Sequence, residues 1–297
     1  MGHRKFFKIG LTQKQSLTGW AFLSIAAILI IWMNFYPMVR GFLFSLQSGV
    51  GAQMQFAGLF NYRRLLEDPQ FRQTISNTFM YLVIQVPIML LLALVLATML
   101  NDNTLKFRGF FRTAIFLPCA VGLVAYSLVF RQMFAVSGII NTIAMSVGIM
   151  ETPFNWFGNA WSARLIIILG LLWRWTGFNM IFYLAGLQNV DRAMYEAARI
   201  DGANAFQQFW RITIPVLKPV ILLTAIMSTN GTLQLFDESF NLTGGGPGIT
   251  SRSMSHHIFV AAFQGIPQIG YASAMSFVIL LFVGTLAFIQ IKIGDKR

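Results

Sequence analysis

Long apolar runs alternate with short polar segments along this chain. Six of the runs are near the length of about 20 residues that an α-helix needs to cross the hydrocarbon core of a bilayer. Backbone groups in lipid must be satisfied within their own segment, so each run is expected to be helical. The predicted spans cover residues 20–36, 77–100, 111–134, 163–187, 219–236 and 271–291. The pattern predicts an all-α polytopic membrane protein whose residues 1–297 form one transmembrane domain.

Two further segments need a separate interpretation. The N-terminal run begins after basic residues, as a signal peptide does, but it is longer than a usual signal core. Pro37 and Arg40 follow it instead of a small-residue cleavage site, so we predict an uncleaved first span. The run at 135–150 is short and broken by polar residues and glycines. It is predicted to be an outer-face loop with a helix lying across the surface.

Composition removes the main alternatives to a membrane protein. Hydrophobic residues make up 56% of the chain, charged residues 11%, and the mean hydropathy is +0.64. A soluble protein of this length needs a more charged surface. The net charge of +12 is not arranged as a basic stripe with interleaved aromatic residues, so no nucleic-acid partner is predicted. One cysteine, Cys119, and three histidines form no metal-ligand pattern, and no metal site is predicted.

The placement of the basic residues predicts the orientation of the chain. Six spans put both termini on one side, and the short segments on that side hold most of the lysines and arginines. Short basic segments favour the cytoplasmic side. Both termini are therefore expected to be cytoplasmic. The basic residues that carry this prediction are Arg4, Lys5, Lys8, Lys14, Lys106, Arg108, Arg112, Arg192, Arg199, Arg211, Lys218, Lys292, Lys296 and Arg297.

A polar segment at residues 190–218, here named the elbow, separates the fourth and fifth predicted spans. Its residues 196–215 read EAARIDGANAFQQFWRITIP. Asp191 and Asn204 are residue types that cap helix N-termini. Gly202 suits the left-handed turn that commonly ends a helix. The elbow is predicted to be two short helices joined at this glycine.

The second elbow helix has an aromatic face, because Phe206, Phe209 and Trp210 are spaced at i, i+3 and i+4. Pro215 is expected to end this helix before the fifth span. An amphipathic hairpin of this kind could rest on lipid headgroups or dock on a protein. Glu196 and Asp201 count against the first alternative, because cytoplasmic headgroups are anionic.

The elbow resembles the EAA loop of ABC-importer permeases. That motif reads Glu-Ala-Ala, three residues, Gly, nine residues, Ile-x-Leu-Pro, and here only Ile214 departs from it, in place of leucine. Residues 173–188, 236–248 and 271–276 resemble segments of the carbohydrate-uptake, maltose-transporter type branch. The resemblance implies a type I ABC importer permease with six transmembrane helices in a bacterial or archaeal plasma membrane.

The resemblance also implies partners. A second homologous permease subunit would complete the pathway, a dimer of cytoplasmic ABC ATPases would bind ATP and Mg, and an extracytoplasmic solute-binding protein would deliver a sugar. Membrane lipid would surround the spans. This chain lacks a G-x-x-x-x-G-K-[ST] phosphate loop, so it is expected to bind no cofactor and to be no enzyme. The residues implied to couple it to the ATPase are Glu196, Ala197, Ala198, Asp201, Gly202, Phe206, Phe209, Ile212 and Pro215.

Polar residues within spans usually face a cavity or another helix. The candidates for a substrate pathway, including aromatic faces for a sugar, are Asn77, Gln85, Trp173, Asn179, Tyr183, Asn230 and Gln234. Each is either a ligand contact, an interhelical hydrogen bond or lipid-facing bulk. Trp175 and Phe236 are further aromatic candidates, while Asp237 and Glu238 could cap the fifth span or gate the pathway. The cluster Gly244, Gly245, Gly246 and Pro247 is either a flexible turn or an outer gate that contacts the binding protein.

These observations predict one permease subunit of an ATP-driven importer for a sugar or oligosaccharide. The main alternative is an importer of glycerol-3-phosphate or a polyol, but Arg174 is the one cation clearly within a span, and a phosphate would favour more. An ion-coupled secondary transporter is disfavoured because no predicted span holds an acidic residue away from its ends. A membrane enzyme is disfavoured because no cluster of His, Asp, Glu or Cys lies at membrane depth.

Overall fold

The computed structural model describes residues 11–102 and 104–294. The terminal basic residues used above, Arg4, Lys5, Lys8, Lys296 and Arg297, lie outside this range. The α-helices are α1 (Leu11–Ile30), α2 (Tyr36–Ser45), α3 (Phe60–Glu67), α4 (Pro69–Leu100), α5 (Arg108–Ala120), α6 (Leu123–Met133), α7 (Ile139–Ser146), α8 (Ala160–Gln188), α9 (Arg192–Ile200), α10 (Ala205–Gln208), α11 (Ile214–Leu233), α12 (Asp237–Asn241), α13 (Met254–Phe263) and α14 (Ile269–Gly294).

Among the described residues, five helices are long and apolar enough to cross a membrane. They are Thr18–Ser45, Pro69–Leu100, Ala160–Gln188, Ala205–Leu233 and Ile269–Gly294, and a bent helix pair makes a sixth if it is one span. The predicted polytopic helical fold is confirmed in this form. Several helices extend past the predicted spans, because a helix continues beyond the hydrocarbon core wherever its polar ends are capped. Asp68, for example, caps α4 nine residues before the predicted start of that span.

The third predicted span, 111–134, is not one straight helix. It consists of α5 and α6, which are bent by 99° to each other. Pro118 lies in the last turn of α5, and Gly122 has an extended backbone that ends the helix before α6 begins. Proline removes a backbone donor and its ring displaces a carbonyl of the preceding turn, so the helix breaks here. The pair Pro118 and Gly122 was the sequence signal for this bend.

Pro215 does not end the second elbow helix, contrary to the prediction. The chain passes from α10 through a π-helical turn at Phe209–Thr213 directly into α11. The Ile214 N–H donates to the Phe209 carbonyl, five residues back. A wider turn accommodates the proline ring that an α-turn would exclude. Pro37 follows a second π-helical turn, Ile31–Phe35, in the same way.

Two small features complete the backbone. Gln47–Ser48 (β1) and Gln55–Phe56 (β2) pair antiparallel, with Gln47 opposite Phe56 and Ser48 opposite Gln55. This hairpin is the one departure from an all-helical fold among the described residues. The surface helix predicted within 135–150 corresponds to α7.

The packing of α4 against α8 forms the centre of the molecule. The C-terminal halves of both helices share a core with Leu217 of α11, next to the elbow. The N-terminal half of α8 packs instead with α6 and the chain after α11, and the start of α4 packs with α13 and α14. The bundle therefore has an elbow end and an opposite end, here named the far end. Helix α8 approaches α5 closely at Gly177, where a Cβ would overlap the backbone carbonyl of Ile115.

Candidate functional site

The first helix of the elbow, α9, is fixed by caps at both ends. The Asp191 carboxylate accepts a hydrogen bond from the Ala193 N–H at 2.9 Å, as predicted. At the other end Gly202 has φ +81°. Its N–H donates to the Arg199 carbonyl, and the Ala203 N–H donates to the Ala198 carbonyl. This pair of bonds is the Schellman motif that closes a helix C-terminus.

The second elbow helix begins at the predicted cap. The Asn204 side chain accepts from the Gln207 N–H, and the Gln207 side chain accepts from the Asn204 N–H, both at 2.9 Å. This reciprocal pair is a capping box. The Tyr195 hydroxyl lies 3.0 Å from the hydroxyl of buried Thr213, which ties α9 to the start of α11. A movement of α9 would therefore be transmitted to α11 through a short, stiff connection.

The elbow presents a surface that this chain leaves exposed. Ala193, Ala197 and Glu196 are exposed on α9, and Ile200 is 87% exposed. On the second helix the predicted aromatic face is present, with Phe206 71% and Trp210 50% exposed and their ring centroids 6.1 Å apart. Small side chains let another backbone approach, and exposed aromatic residues supply apolar contact area. The arrangement is suited to contact with another protein.

The remaining coupling candidates divide by exposure. Asp201, Gly202 and Pro215 are exposed. The half-buried candidates are Ala198, Phe209 and Ile212.

A cavity of about 310 Å³ lies among α4, α8, α11 and α12. It contains seven of the residues predicted for the pathway or its gate: Gln85, Trp175, Asn179, Gln234, Phe236, Asp237 and Glu238. The complete lining is Gln85, Met89, Leu123, Leu171, Trp175, Phe178, Asn179, Met227, Ser228, Gly231, Thr232, Gln234, Leu235, Phe236, Asp237 and Glu238. Three aromatic rings and several amide and hydroxyl groups thus face one space.

Two amides of the cavity are anchored, one by another helix and one within its own helix. The Thr232 hydroxyl donates to the Gln85 side-chain oxygen at 3.2 Å, which joins α11 to α4. The Asn179 amide donates to the Trp175 carbonyl at 3.0 Å. Such anchoring keeps the polar groups of a binding cavity in fixed directions.

The other four pathway candidates do not line this cavity. Trp173 is half-exposed and packs on the rings of Tyr126 and Phe130. The Tyr183 hydroxyl is buried and lies 2.8 Å from the Thr224 hydroxyl. Tyr183 therefore forms a hydrogen bond between α8 and α11, one of the two alternatives to a ligand contact.

The last two candidates, Asn230 and Asn77, also form hydrogen bonds outside the cavity. Asn230 is exposed and accepts a hydrogen bond from the Gln234 amide. Asn77 is buried and bonds to the segment 237–253, which connects α11 to α13 and is here named the far-end loop. Its amide donates to the carbonyls of Ile249 and Arg252, while its oxygen accepts from Gln73 and Arg164.

The glycine cluster belongs to this far-end loop. Gly245 donates to the Ser239 carbonyl at 3.0 Å and its own carbonyl accepts from the Ser251 N–H. The Ser251 hydroxyl donates to the Gly246 carbonyl at 2.6 Å. Gly244, Gly245, Gly246 and Pro247 therefore form an ordered loop rather than a free turn, and none of them lines the cavity.

Titratable groups concentrate around this far-end loop. His256 and His257 lie in helix α13, and both are buried. Burial, assisted by the Arg252 charge, lowers the pKa of His256 to about 4, and it also lowers the pKa of His257. The His256 Nδ1 lies 2.9 Å from the Ser239 hydroxyl. Burial lowers the pKa of the Arg252 guanidinium as well.

Two carboxyl groups behave oppositely. Burial raises the pKa of Glu238, and the Arg174 charge opposes that rise. Burial would also raise the pKa of Asp68, but the hydrogen bonds from Tyr271, Gln70 and Phe71 outweigh it and leave that pKa lowered. Glu238 is consequently the acid of the cavity wall that binds its proton more tightly than usual.

Comparison with known proteins decides the family. Residues 57–297 match the family model described as "Binding-protein-dependent transport system inner membrane component". The chain belongs to this family. It is 45% identical over 289 residues to the lactose transport system permease protein LacF of Rhizobium radiobacter, covering 97% of each chain. It is 34% identical to the arabinooligosaccharides transport system permease protein AraP of Halalkalibacterium halodurans, covering 95% of this chain and 91% of that one.

A solved structure shares the fold of this permease. A chain of a bacterial ABC transporter involved in the import of the acidic polysaccharide alginate superposes with a TM-score of 0.85 at 22% identity, covering 96% of this chain and 98% of that chain. The permease is thus a multi-pass inner-membrane component of a transport system. The orientation of its termini and the assignment of its site residues stay predictions.

Sequence reasoning missed part of the cavity wall. Phe178, Ser228 and Thr232 line it but were not candidates. Phe178 was detectable, because it lies at i+3 from Trp175 and one residue before Asn179, on the same face of α8. Ser228 and Thr232 carry no such signal, since small hydroxyl residues are frequent in packed transmembrane helices.

Proposed function

We propose that this permease subunit forms half of the pathway of an ATP-driven importer for a neutral sugar or oligosaccharide. The observation that carries the substrate class is the wall of the 310 Å³ cavity. Trp175, Phe178 and Phe236 offer apolar ring faces, and amide and hydroxyl groups lie between them. Sugar binding combines such ring faces with directed hydrogen bonds. The transport of sugars by the lactose and arabinooligosaccharide relatives agrees with this choice.

The charge of the cavity wall argues against a phosphate ester. Its described lining contains two acidic residues, Asp237 and Glu238, and no lysine, arginine or histidine. Phosphate recognition in proteins relies on cationic side chains or clustered backbone N–H groups. Arg174, the cation named above as a phosphate candidate, lies over the rings of Tyr126 and Trp175 instead. Glycerol-3-phosphate is therefore the weaker substrate candidate.

The elbow is proposed to be the joint with the ATPase. Its exposed alanines, Glu196 and Ile200 would enter a groove of a cytoplasmic ABC ATPase that binds ATP and Mg. The Tyr195–Thr213 contact would then pass the movement of the docked helix to α11. Because α11 lines the cavity with Met227, Ser228, Gly231 and Thr232, ATPase closure would reshape the substrate site.

The remaining partners follow from the family and are proposed here. A second homologous permease would cover the open side of the bundle, including α1, whose large apolar side chains are exposed. A solute-binding protein would dock on the far end, where Gly244 to Pro247 form an ordered surface. Lipid would contact the rest of the apolar perimeter.

Uptake in the native cells tests the proposed function. A strain lacking this chain is compared with the same strain carrying the wild-type chain or a control copy with Glu67→Gln, an exposed position outside the elbow and the cavity lining. Labelled lactose, maltose, an arabino-oligosaccharide and glycerol-3-phosphate are supplied one at a time. Loss of uptake of at least one neutral sugar, restored by both copies, is expected. Loss of glycerol-3-phosphate uptake alone would overturn the sugar assignment.

A further inference from the structure

A buried polar cluster lies behind the cavity wall. Its members, here named the polar cluster, are Tyr126 and Ser127 of α6, Arg174 of α8 and Glu238 of α12. Tyr126 is 2% exposed, Ser127 1% and Glu238 4%. The bend between α5 and α6 brings Tyr126 and Ser127 to α12, so three separate segments of the chain converge here.

The cluster has more hydrogen-bonding capacity than its described neighbours use. Four buried atoms make no hydrogen bond of standard geometry in the described part of the chain: Tyr126 Oη, Ser127 Oγ, Arg174 Nε and Arg174 Nη1. An unsatisfied buried polar group costs about 1–3 kcal/mol, and native proteins keep few of them. Several in one place indicate a site built for something other than packing.

Arg174 is held in place by rings instead of by an ion pair. Its guanidinium lies 5.1 Å from the Tyr126 ring centroid and 5.4 Å from that of Trp175. Among the described residues it forms no salt bridge within 4.0 Å. The positive charge nevertheless acts on the Glu238 carboxyl across the cluster. That charge opposes, without cancelling, the rise that burial causes in the pKa of Glu238.

Glu238 connects this cluster to the cavity. It is buried in the bundle, yet it is one of the residues that line the cavity, next to Trp175, Phe178 and Phe236. The Tyr126 hydroxyl lies beside its carboxyl without a hydrogen bond of standard geometry to any described residue. A carboxyl group bordered by aromatic rings can accept hydrogen bonds from two neighbouring hydroxyls of one sugar ring, while the ring face packs on the aromatics.

We propose that Glu238 is a specificity residue that accepts hydrogen bonds from sugar hydroxyls, and that Arg174, packed on the ring of the neighbouring Tyr126, is a positioning residue for it. This inference rests on the proposed sugar function and deepens it. A sugar lacking the recognised hydroxyl would leave a buried carboxyl unpartnered. Sites that hydrogen-bond a substrate hydroxyl reject analogues without it far more strongly than apolar pockets reject a missing methylene.

Equilibrium binding to the purified transporter tests the proposal. The full complex is purified without the binding protein, because that protein would otherwise dominate the apparent affinity. Labelled lactose and the series of monodeoxy lactoses are the probes; maltose and its monodeoxy series replace them if the uptake panel identifies maltose. For the wild-type chain, removal of one particular hydroxyl should weaken binding by about tenfold, the effect of a charged hydrogen bond.

The variants separate recognition from folding. In Glu238→Leu that particular hydroxyl should no longer matter, so parent and deoxy sugar bind within twofold of each other, while Glu238→Gln keeps part of the difference. Arg174→Met should shrink the same difference without changing the effects of the other hydroxyls. Glu67→Gln is the matched control and should behave as wild type. Each complex must elute with its ATPase, which shows that it has folded.

Two results would overturn the proposal and are distinguishable from failure of the proposed function. If the cells lose sugar uptake without this chain but Glu238→Leu retains the full deoxy penalty, Glu238 does not recognise hydroxyls. If the wild-type complex binds no transported sugar, the site is not in this cavity. Failure of the sugar function itself would appear earlier, as unchanged sugar uptake in cells that lack the chain.

Discussion

The elbow and the far-end loop are both irregular polar segments, but they are held in opposite ways. In the elbow the decisive bonds join residues two to five positions apart, such as Asp191 to Ala193 and Asn204 to Gln207. In the far-end loop Asn77 bonds to carbonyls 172 and 175 positions away. The elbow can therefore form from its own sequence, whereas the far-end loop forms only when the whole bundle has assembled.

The same difference separates their exposed surfaces. The elbow leaves Ile200, Phe206 and Trp210 largely exposed. These apolar side chains can be buried only by another chain or by lipid. The far-end loop buries Ser239, Ser251 and Ser253 completely and satisfies them within the subunit. Substitutions in the elbow should thus affect coupling with little effect on the stability of this chain. Substitutions in the far-end network should affect stability first.

Gly202→Val should have the largest effect on transport. Gly202 has φ +81°, and a left-handed conformation costs an ordinary residue about 1–2 kcal/mol, more with β-branching. A Cβ there meets no atom within 4 Å, so the strain arises from the backbone alone. We expect nearly complete loss of uptake with normal insertion and an unchanged melting temperature.

Asparagine tolerates the left-handed region, so Gly202→Asn is the matched control and should retain most uptake. Uptake and co-purification of the ATPase are the measurements. Wild-type uptake and normal co-purification of the ATPase with Gly202→Val would show that docking does not require the left-handed turn at this position.

Asn77→Leu should have the largest effect on stability. The substitution keeps the size of the side chain but leaves the carbonyls of Ile249 and Arg252 and the Arg164 guanidinium without this partner. A loss of about 2–3 kcal/mol is expected for such a buried network.

Thermal unfolding in detergent measures this loss. Gln73→Leu removes a single donor from the same network and should cost clearly less. Equal melting temperatures for Asn77→Leu and wild type would contradict the non-local origin of the loop.

Mild acid should weaken the far end more than the elbow. The pKa of His256 is lowered to about 4 by burial and by Arg252, against about 6.5 for the unfolded chain. Between these values the unfolded state binds more protons, so stability falls as the pH drops from about 6.5 to about 4. The effect is absent above the unfolded pKa.

His256→Asn tests this origin, because the asparagine oxygen can replace Nδ1 next to Ser239 without titrating. Its melting temperature should fall less than that of the wild type over the same pH interval, while the Glu67→Gln control follows the wild type. Parallel curves for His256→Asn and wild type would assign the acid sensitivity to another group.

The residues of the cavity were predictable from the sequence in part, less well than the elbow and better than the far-end loop. Gln85, Asn179, Gln234 and Asp237 were predictable because a polar side chain in an apolar run stands out. Asn77, Tyr183 and Asn230 stood out equally but do not line the cavity. Tyr183 bonds to a neighbouring helix, Asn230 bonds to Gln234 four residues away, and Asn77 bonds to the far-end loop. Sequence alone does not reveal which face of a helix meets a cavity and which meets a neighbour, because this depends on the rotation of each helix in the bundle.

The sequence by itself determined the features set by short-range physics. Apolar length specified the spans, and capping residues and a glycine specified the elbow, since their bonds close within a few residues. Pro215 was misjudged because a π-helical turn, stabilised by continuation into α11, accommodates its ring.

Only the tertiary structure decided how far α5 and α6 bend, 99°, and which polar groups share a space. The convergence of Tyr126, Arg174 and Glu238, and the hold of Asn77 on the far-end loop, arise from packing between segments far apart in the chain. Their energies are gained only when those segments meet, so no local pattern encodes them.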